Sequence, residues 1–350
     1  MEVKNLKVAF VGMRRPPSDM PNGYWSTFVK YHMELPYYYA AHAPIDVVLT
    51  TTESVDYFQQ FASGGSIRCM TEADYSLSLF DQGFDVIVHW RKWFDELADP
   101  LARNVILSQD HSYGDEWLEN VKKAHLDGIL DGILVFPTWH ATNTKREVGQ
   151  DIRLYEGLTF GVDTDIYSPC GKDPFHLLWA SDPGRGLETL INPFLRLWAK
   201  DRRFRLTVTY PDYVKSESIS RYAGFLKHPG VQHKPGLRNG PILCDLFNTA
   251  GILPYSSTFP EPSSRCHRQA QSAGCLVLYP PNMGTPSHTI ENGLTGIVED
   301  VSLWPDVILS MVSSGRISEI GHNARTFALT ENWAVQANRF YDFFSKGITK

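Results

Sequence analysis

Short apolar runs alternate with helical stretches along the whole chain, and that alternation limits the possible folds more than any other feature of the sequence. In the first half the runs are KVAFVG (7–12), IDVVLT (45–50), FDVIVHW (84–90), NVILS (104–108) and ILVFP (133–137). In the second half they are FHLLWAS (175–181), FRLTVTY (204–210), GILPYSS (251–257), CLVLYP (275–280) and GIVED (296–300). Runs this apolar suit strands covered on both faces, as in a parallel sheet. Stretches between them, such as DEWLENVKKAHL (115–126), read as helices. The alternation predicts a doubly wound α/β fold. Five runs, a break and five more predict two such domains. The break is YSPCGKDP (167–174), rich in Pro and Gly. The expected domains are 1–168 and 169–330. A chain of 350 residues is too long for one ordinary domain and suits two.

Composition narrows the function classes. The net charge of −6 offers no general attraction to nucleic acid or anionic lipid. Cysteines 69, 170, 244, 266 and 275 are scattered, with no C-x-x-C pair, which predicts reduced thiols in a cytoplasmic compartment and no zinc site. The start, MEVKNLKVAFVGM, lacks the apolar core of a signal peptide and reads as the first strand. No run approaches the ~18 apolar residues of a membrane span.

In open parallel sheets, ligands bind outside the carboxyl ends of strands. Four stretches stand there. VGMRRPPSDMPNGYW (11–25) follows the first run. Its glycines, 12 and 23, do not make the dinucleotide fingerprint, so Gly23 either lets the backbone approach a ligand or sits in a long surface loop. SQDHSYGDEW (108–117) presents Asp110 and His111, and a histidine there either positions a sugar hydroxyl or is structural. ASDPGRGLETLINPFLRLWAKD (180–201) turns at Ser-Asp-Pro-Gly into an amphipathic helix beginning at Arg185-Gly186. Free N–H groups with a cation beside them make an anion site, and the guanidinium fork suits a diphosphate; otherwise Arg185 is a solvated turn residue. Finally, FPEPSSRCHRQAQSAGCLVLYP (259–280) puts Glu261 in a Pro-flanked loop, Ser263 and Ser264 at a helix start, and Gln269 further along that helix. Serines at the start leave N–H donors for an anion; the alternative is an acidic loop and a solvated helix face.

Glu261 followed by Gln269-Ala270 and Gly274 resembles the signature of the retaining GT-B glycosyltransferases of the large GT4-like group. Three further stretches agree in order. LDGILVFPTWHATNT resembles the family's strand leading into a Ser- or Thr-led helix. LTFGVDTDIYSP (158–169) resembles its interdomain segment, and SDPGRGLETL its diphosphate loop. The likeness is good over residues 100 to 340 and is limited to strand pattern before that. It implies two Rossmann-like domains facing a central cleft, with LTENWAVQANRFYDFFSK (329–346) forming a helix that crosses back to the first domain, so that 331–350 joins 1–168. It implies that Glu261 binds a hydroxyl of the transferred sugar and that Arg185 neutralises the leaving diphosphate. Backbone groups at Ser181, Gly186, Ser263 and Ser264, and at Gly23, would hold the donor. Gln269 would take the ribose hydroxyls, and His111 would touch the sugar. The co-substrate would be a nucleotide-diphosphate sugar without a metal. The acceptor would be a carbohydrate or a lipid-linked molecule, as in polysaccharide biosynthesis.

The chain departs from the family at several points. Gln269 replaces an acid, and Phe160-Gly161 replaces Asn-Gly. The second basic residue of the diphosphate loop is missing where this chain has Trp179, Ala180 and Ser181, so Arg265, Arg268 or Lys234 would have to supply it. Asp163-Thr164-Asp165 matches the metal motif of a different architecture, but it falls in the interdomain segment and is read as structural. His228 and His233 read as surface residues. Tyr24, Trp25, Tyr37 to Tyr39, Trp90 and Trp93 are core residues, an acceptor groove for sugar faces, or a patch resting on the inner face of a membrane; the sequence leaves these open. The expected activity is sugar transfer. The alternative is an inert nucleotide- or glycan-binding protein of the same fold.

Overall fold

The computed structural model describes residues 4–12, 33–52, 57–109, 114–211, 214, 216–237 and 240–345; Gly23, Tyr24, Trp25, Asp110 and His111 lie outside the described residues. The chain divides into two compact units. One runs to Gly161 and resumes at Trp333, and the other is Val162–Asn332.

The first unit holds an eight-stranded sheet. In chain order its strands are β1 (Leu6–Val11), β2 (Ile45–Thr51), β3 (Phe58–Gln60), β4 (Ser66–Thr71), β5 (Val86–Trp90), β6 (Arg103–Leu107), β7 (Leu130–Leu134) and β8 (Leu154–Tyr155). The spatial order is β3-β4-β2-β1-β5-β6-β7-β8. Every pairing is parallel except β3 with β4. Alternate residues of β1 enter different cores: Leu6, Val8 and Phe10 one, Ala9 and Val11 another. A strand buried on both faces has no polar positions to spare, which is why its sequence is a continuous apolar run. Helices α1 (Glu34–His42), α2 (Glu72–Gln82), α3 (Asp115–Leu126) and α4 (Trp139–Val148) connect the strands. Helix α3 occupies the span expected for it.

The second unit holds β9 (Asp173–Ala180), β10 (Arg205–Thr209), β11 (Val231–Lys234), β12 (Ala250–Pro254), β13 (Leu276–Tyr279) and β14 (Ile297–Val298). Its order is β11-β10-β9-β12-β13-β14, all parallel. The main helices are α5 (Leu187–Lys200), α6 (Pro241–Thr249), α7 (Arg265–Ser272), α8 (Trp304–Ser313) and α9 (Arg316–Thr330). Again both faces are covered: Leu177 and Ile252 belong to one core, Leu178 and Leu253 to the other.

All ten expected strands form, although β7 begins three residues ahead of ILVFP and β14 is limited to Ile297–Val298. Four others, β3, β4, β8 and β11, escape the apolar-run criterion. Strand β3 reads FQQ and β11 reads VQHK, and both are edge strands whose side chains meet water. The break between units falls after Gly161, ahead of the expected one after Ser168. The cause is packing: Val162 and Tyr167 are buried in the second unit's core, with Tyr167 edge-on to Phe247 at 5.7 Å.

The last helix, α10 (Trp333–Ser345), returns to the first unit. Trp333 stacks on Tyr38 at 5.0 Å and 5°, and Phe340 lies 4.6 Å from Tyr39 and 6.3 Å from Phe10. The buried Gln336 Oε1 accepts the Thr159 N–H at 2.8 Å. Gly161 is needed under this helix, since a Cβ there would lie 2.6 Å from the Trp333 ring. Tyr38 and Tyr39 are therefore core residues, as are the half-buried Tyr37 and Trp90 that pack against them. Trp93 stacks on the buried His89 at 4.3 Å. Among the described residues no helix is long and apolar enough to cross a membrane.

Phe340 is fully buried and touches three aromatic rings. Phe340→Ala is expected to cost about 3–5 kcal/mol in urea unfolding, the usual range for emptying such a site. A loss below ~1 kcal/mol would mean that α10 contributes little to the first unit.

Candidate functional site

The sheet order of the second unit places its site. Strand β9 comes first in the chain, β10 and β11 add on one side, and β12 to β14 add on the other. The order reverses between β9 and β12, and in open α/β sheets the crevice beyond such a point is where ligands sit. Two loops meet there, 181–186 after β9 and 255–264 after β12.

The first loop is a tight turn. Asp182 accepts the Gly184 N–H at 2.8 Å through its side chain, and its carbonyl accepts the Arg185 N–H at 2.9 Å. The second loop is tied to it. Ser256 Oγ donates to the Gly186 carbonyl at 2.8 Å, and the Thr258 N–H donates to the Arg185 carbonyl at 2.9 Å. Gly186 has φ +125°, and a Cβ on it would lie 2.0 Å from the Ser256 oxygen. Only glycine allows this approach. The Arg185 side chain then crosses to the second loop. Its Nη1 donates to Glu261 Oε1 at 2.7 Å, and its guanidinium lies 4.8 Å over the Phe259 ring.

Glu261 is held from behind by its own backbone. Its N–H donates to the Met283 carbonyl at 3.2 Å, and its carbonyl accepts the Thr285 N–H at 2.8 Å. Gly284 lies against it with φ +91°, so close that a Cβ would sit 2.2 Å from the Glu261 oxygen. The carboxylate is 5% exposed. A buried carboxylate needs partners, and it has a second one: the Tyr255 hydroxyl donates to the same Oε1 at 2.8 Å. Tyr255 is itself buried and stacks with Trp179 and Tyr279, each at 5.7 Å. Burial pushes its phenol pKa well above the ordinary value, and the Glu261 charge adds to the rise.

The structure thus brings Arg185, Gly186 and Glu261 together. Ser181 joins them indirectly, since its Oγ is 3.0 Å from the Tyr255 hydroxyl. Ser264 is the N-cap of α7 and accepts the His267 N–H at 3.4 Å, with Ser263 half-buried just before it. Gln269 is buried one turn beyond the exposed Arg265, so the two residues four apart differ in exposure. Trp179 is fully buried, and Arg268 is buried, donating to Gln271 Oε1 at 3.2 Å and lying 4.9 Å over Phe327. Asp163 Oδ1 accepts the N–H groups of Asp165 and Ile166 at 3.2 and 3.3 Å, which is a turn-stabilising role. His233 is exposed, and the half-buried His228 packs edge-on to Trp198. In the first unit Thr138, opening α4, has φ +62°, a costly conformation for a β-branched residue.

Two participants were missed from sequence. Tyr255 was absorbed into the apolar run GILPYSS, although a tyrosine ending a buried strand must find a partner for its hydroxyl. His267, buried at the start of α7 with neither ring nitrogen bonded among the described residues, had no sequence signal at all.

No family model matches the chain, and no curated protein does. Solved structures match it over almost its full length. A glycosyltransferase from Rickettsia africae superposes with a TM-score of 0.72 at 11% identity, covering 98% of each chain. HepE from Anabaena, in complex with UDP and glucose, gives 0.70 at 14% identity, covering 98% of this chain and 100% of that one. Sucrose-phosphate synthase from Thermosynechococcus elongatus gives 0.69 at 14%, covering 98% and 99%. The fold of this chain is that of the GT-B enzymes.

His267 supports a prediction independent of any ligand. Burial, with Arg268 adding to it, lowers its pKa well below 6.5. Above about pH 6.5 neither folded nor unfolded chain protonates it; below that the unfolded chain binds a proton and the folded one does not, so stability falls with pH. His267→Leu keeps the bulk and removes this proton. Between pH 7.5 and 5.5 the wild type should lose about 1.4 kcal/mol more than the variant in urea unfolding. Equal losses would place the imidazole in contact with water.

Proposed function

We propose that this protein is a retaining, metal-independent glycosyltransferase that moves a sugar from a nucleotide-diphosphate sugar to a hydroxyl of a glycan or lipid-linked acceptor. The observation that carries the reading is the ion pair of a buried Glu261 with Arg185 at the strand-order reversal of the second sheet. These are the residues that the family resemblance assigns to the sugar and to the diphosphate. The superposition on HepE, whose structure is named with UDP and glucose, supports a nucleotide sugar as the donor.

The chemistry follows from the charges. As the bond from the anomeric carbon to the diphosphate oxygen breaks, positive charge grows on the sugar ring and negative charge on the departing phosphate. In this reading Arg185 and the N–H groups around Ser263 and Ser264 meet the negative end. The carboxylate of Glu261 accepts from a sugar hydroxyl and favours the positive end. Fixed charges that need no rearrangement are the most effective stabilisers of such a transition state. Gln269 is assigned to the ribose. A second reading, an inert binding protein of this fold, draws on Trp179, Ala180 and Ser181 standing where the resembling family has a second cation. Slow hydrolysis of the donor without acceptor separates the two: the enzyme shows it and the inert protein does not.

The ion pair makes a specific demand. Were the sugar and diphosphate subsites independent, Glu261→Gln would leave nucleoside-diphosphate affinity unchanged. Because Glu261 holds the phosphate-binding cation, the substitution is expected to free Arg185 and tighten UDP binding by about two- to fivefold; Arg185 is 41% exposed, and screened pairs are worth at most ~1 kcal/mol. Turnover should fall by roughly two orders of magnitude, as when an electrostatic contact to a transition state is lost. Isothermal calorimetry and a transfer assay on one preparation read both. Undiminished turnover contradicts the catalytic assignment, and weakened UDP binding means the loop has been disturbed.

Metal independence is tested separately. Transfer should persist in excess EDTA, and Asp163→Ala should change stability without changing kcat. Loss of transfer in EDTA with recovery on adding Mn²⁺ or Mg²⁺ would refute this part of the reading.

A further inference from the structure

We propose that Tyr255, backed by Ser181, is the positioning residue that decides which oxygen of Glu261 meets the donor sugar. The proposal rests on the glycosyltransferase reading above.

Both partners of the carboxylate sit on one atom. Arg185 Nη1 and the Tyr255 hydroxyl reach Oε1 at 2.7 and 2.8 Å, and among the described residues nothing is hydrogen-bonded to Oε2. The direction of these bonds can be deduced. An ionised carboxylate only accepts, so the single phenol proton of Tyr255 points at Glu261. The phenol oxygen, 3.0 Å from Ser181 Oγ, must then accept, and Ser181 donates. Donation runs one way, from Ser181 to Tyr255 to Glu261.

The two donors on Oε1 differ in how firmly they are fixed. Arg185 is 41% exposed and is the group that a diphosphate would draw away. Tyr255 is 2% exposed, its ring stacked with Trp179 and Tyr279. The loop backbone adds to this, with the Tyr255 N–H donating to the Leu278 carbonyl at 3.0 Å. When Arg185 turns to the phosphates, Tyr255 stays on Oε1 and keeps the carboxylate aimed. Tyr255 still fills one acceptor position of Oε1 when Arg185 leaves, while both positions of Oε2 are open, so Oε2 is the oxygen that meets the sugar, in a carboxylate plane that Tyr255 fixes. It reads one hydroxyl, or two that converge on that oxygen. Tyr255 acts through Glu261 and sets sugar selectivity, while leaving the nucleotide end of the donor untouched.

The test uses Tyr255→Phe, Ser181→Ala and the double variant of the full chain. Phe keeps the ring stack and removes only the hydroxyl. The probe is whichever member of a panel of UDP-, GDP- and ADP-sugars most raises the melting temperature of the wild type. Calorimetry then gives Kd for that sugar nucleotide and for its nucleoside diphosphate. Tyr255→Phe should weaken the sugar nucleotide by about tenfold and leave the diphosphate within about twofold, the loss expected for one hydrogen bond to a charged group. Ser181→Ala should cost less, about threefold, and the double variant should be no worse than Tyr255→Phe, since both break one chain. Equal weakening of both ligands would make Tyr255 a packing residue only, and no weakening of either would remove it from the site; each overturns the proposal. Additive losses in the double variant overturn the relay through Ser181. A wild type stabilised by no sugar nucleotide sinks the donor reading itself and this proposal with it.

Discussion

A carboxylate can be nearly buried in a protein only if its charge is held, and the hold that Arg185 and Tyr255 place on Glu261 is the interaction on which the second unit's site depends. Such a pair is not a device for stability. Burying the carboxylate costs desolvation, while water screens its attraction to a half-exposed guanidinium. On the proposed function, the pair is a site waiting for its ligand. Arg185, half-exposed and stacked on Phe259, is open to solvent, while Glu261 is nearly buried. A donor with a negative end and a hydroxyl-bearing end can take each partner from the other, so that neither charge is left alone at any stage.

The surrounding fold is what brings the pair together. Arg185 and Glu261 belong to different loops, and those loops are neighbours only because β12 was laid beside β9 on the side opposite β10. Contact between them is then a backbone matter. Gly186 permits the Ser256 carbonyl to approach, Ser256 and Thr258 lock the two loops, and Gly284 lets a third segment press against the Glu261 backbone. Changing either glycine would move the Arg185 and Glu261 side chains without touching them. The stack of Tyr255 with Trp179 and Tyr279 supplies a rigid apolar floor on which a single hydroxyl can be aimed.

How much of this was legible in the sequence depends on what each residue must do locally. Strands buried on both faces had to be apolar throughout, so KVAFVG and CLVLYP announced themselves; the edge strands FQQ and VQHK carry no such obligation and did not. Glu261 and Arg185 stood out because a charged residue just past an apolar run is conspicuous. Their meeting could not be read, since it depends on sheet order and on two glycine contacts between loops distant in sequence. Tyr255 was hidden by its own aromatic character, which fits an apolar run as well as a site. Arg268 shows the opposite error: a cation near the right helix start looked available for phosphate, but its position on α7 turns it inward onto Phe327 and Gln271. The domain break was misplaced for a related reason. Pro and Gly marked YSPCGKDP as a linker, while Tyr167 was already committed to the second core.

On the proposed function one ion pair is exchanged for one ligand, and a crystal structure of the protein with an intact, slowly transferred nucleotide sugar tests that directly. The predicted result is Arg185 swung from Oε1 of Glu261 onto the diphosphate, the Tyr255 hydroxyl still on Oε1, and a sugar hydroxyl on Oε2. A donor bound elsewhere, or bound at the end of β12 with the Arg185–Glu261 pair intact and no sugar atom on the carboxylate, would contradict it.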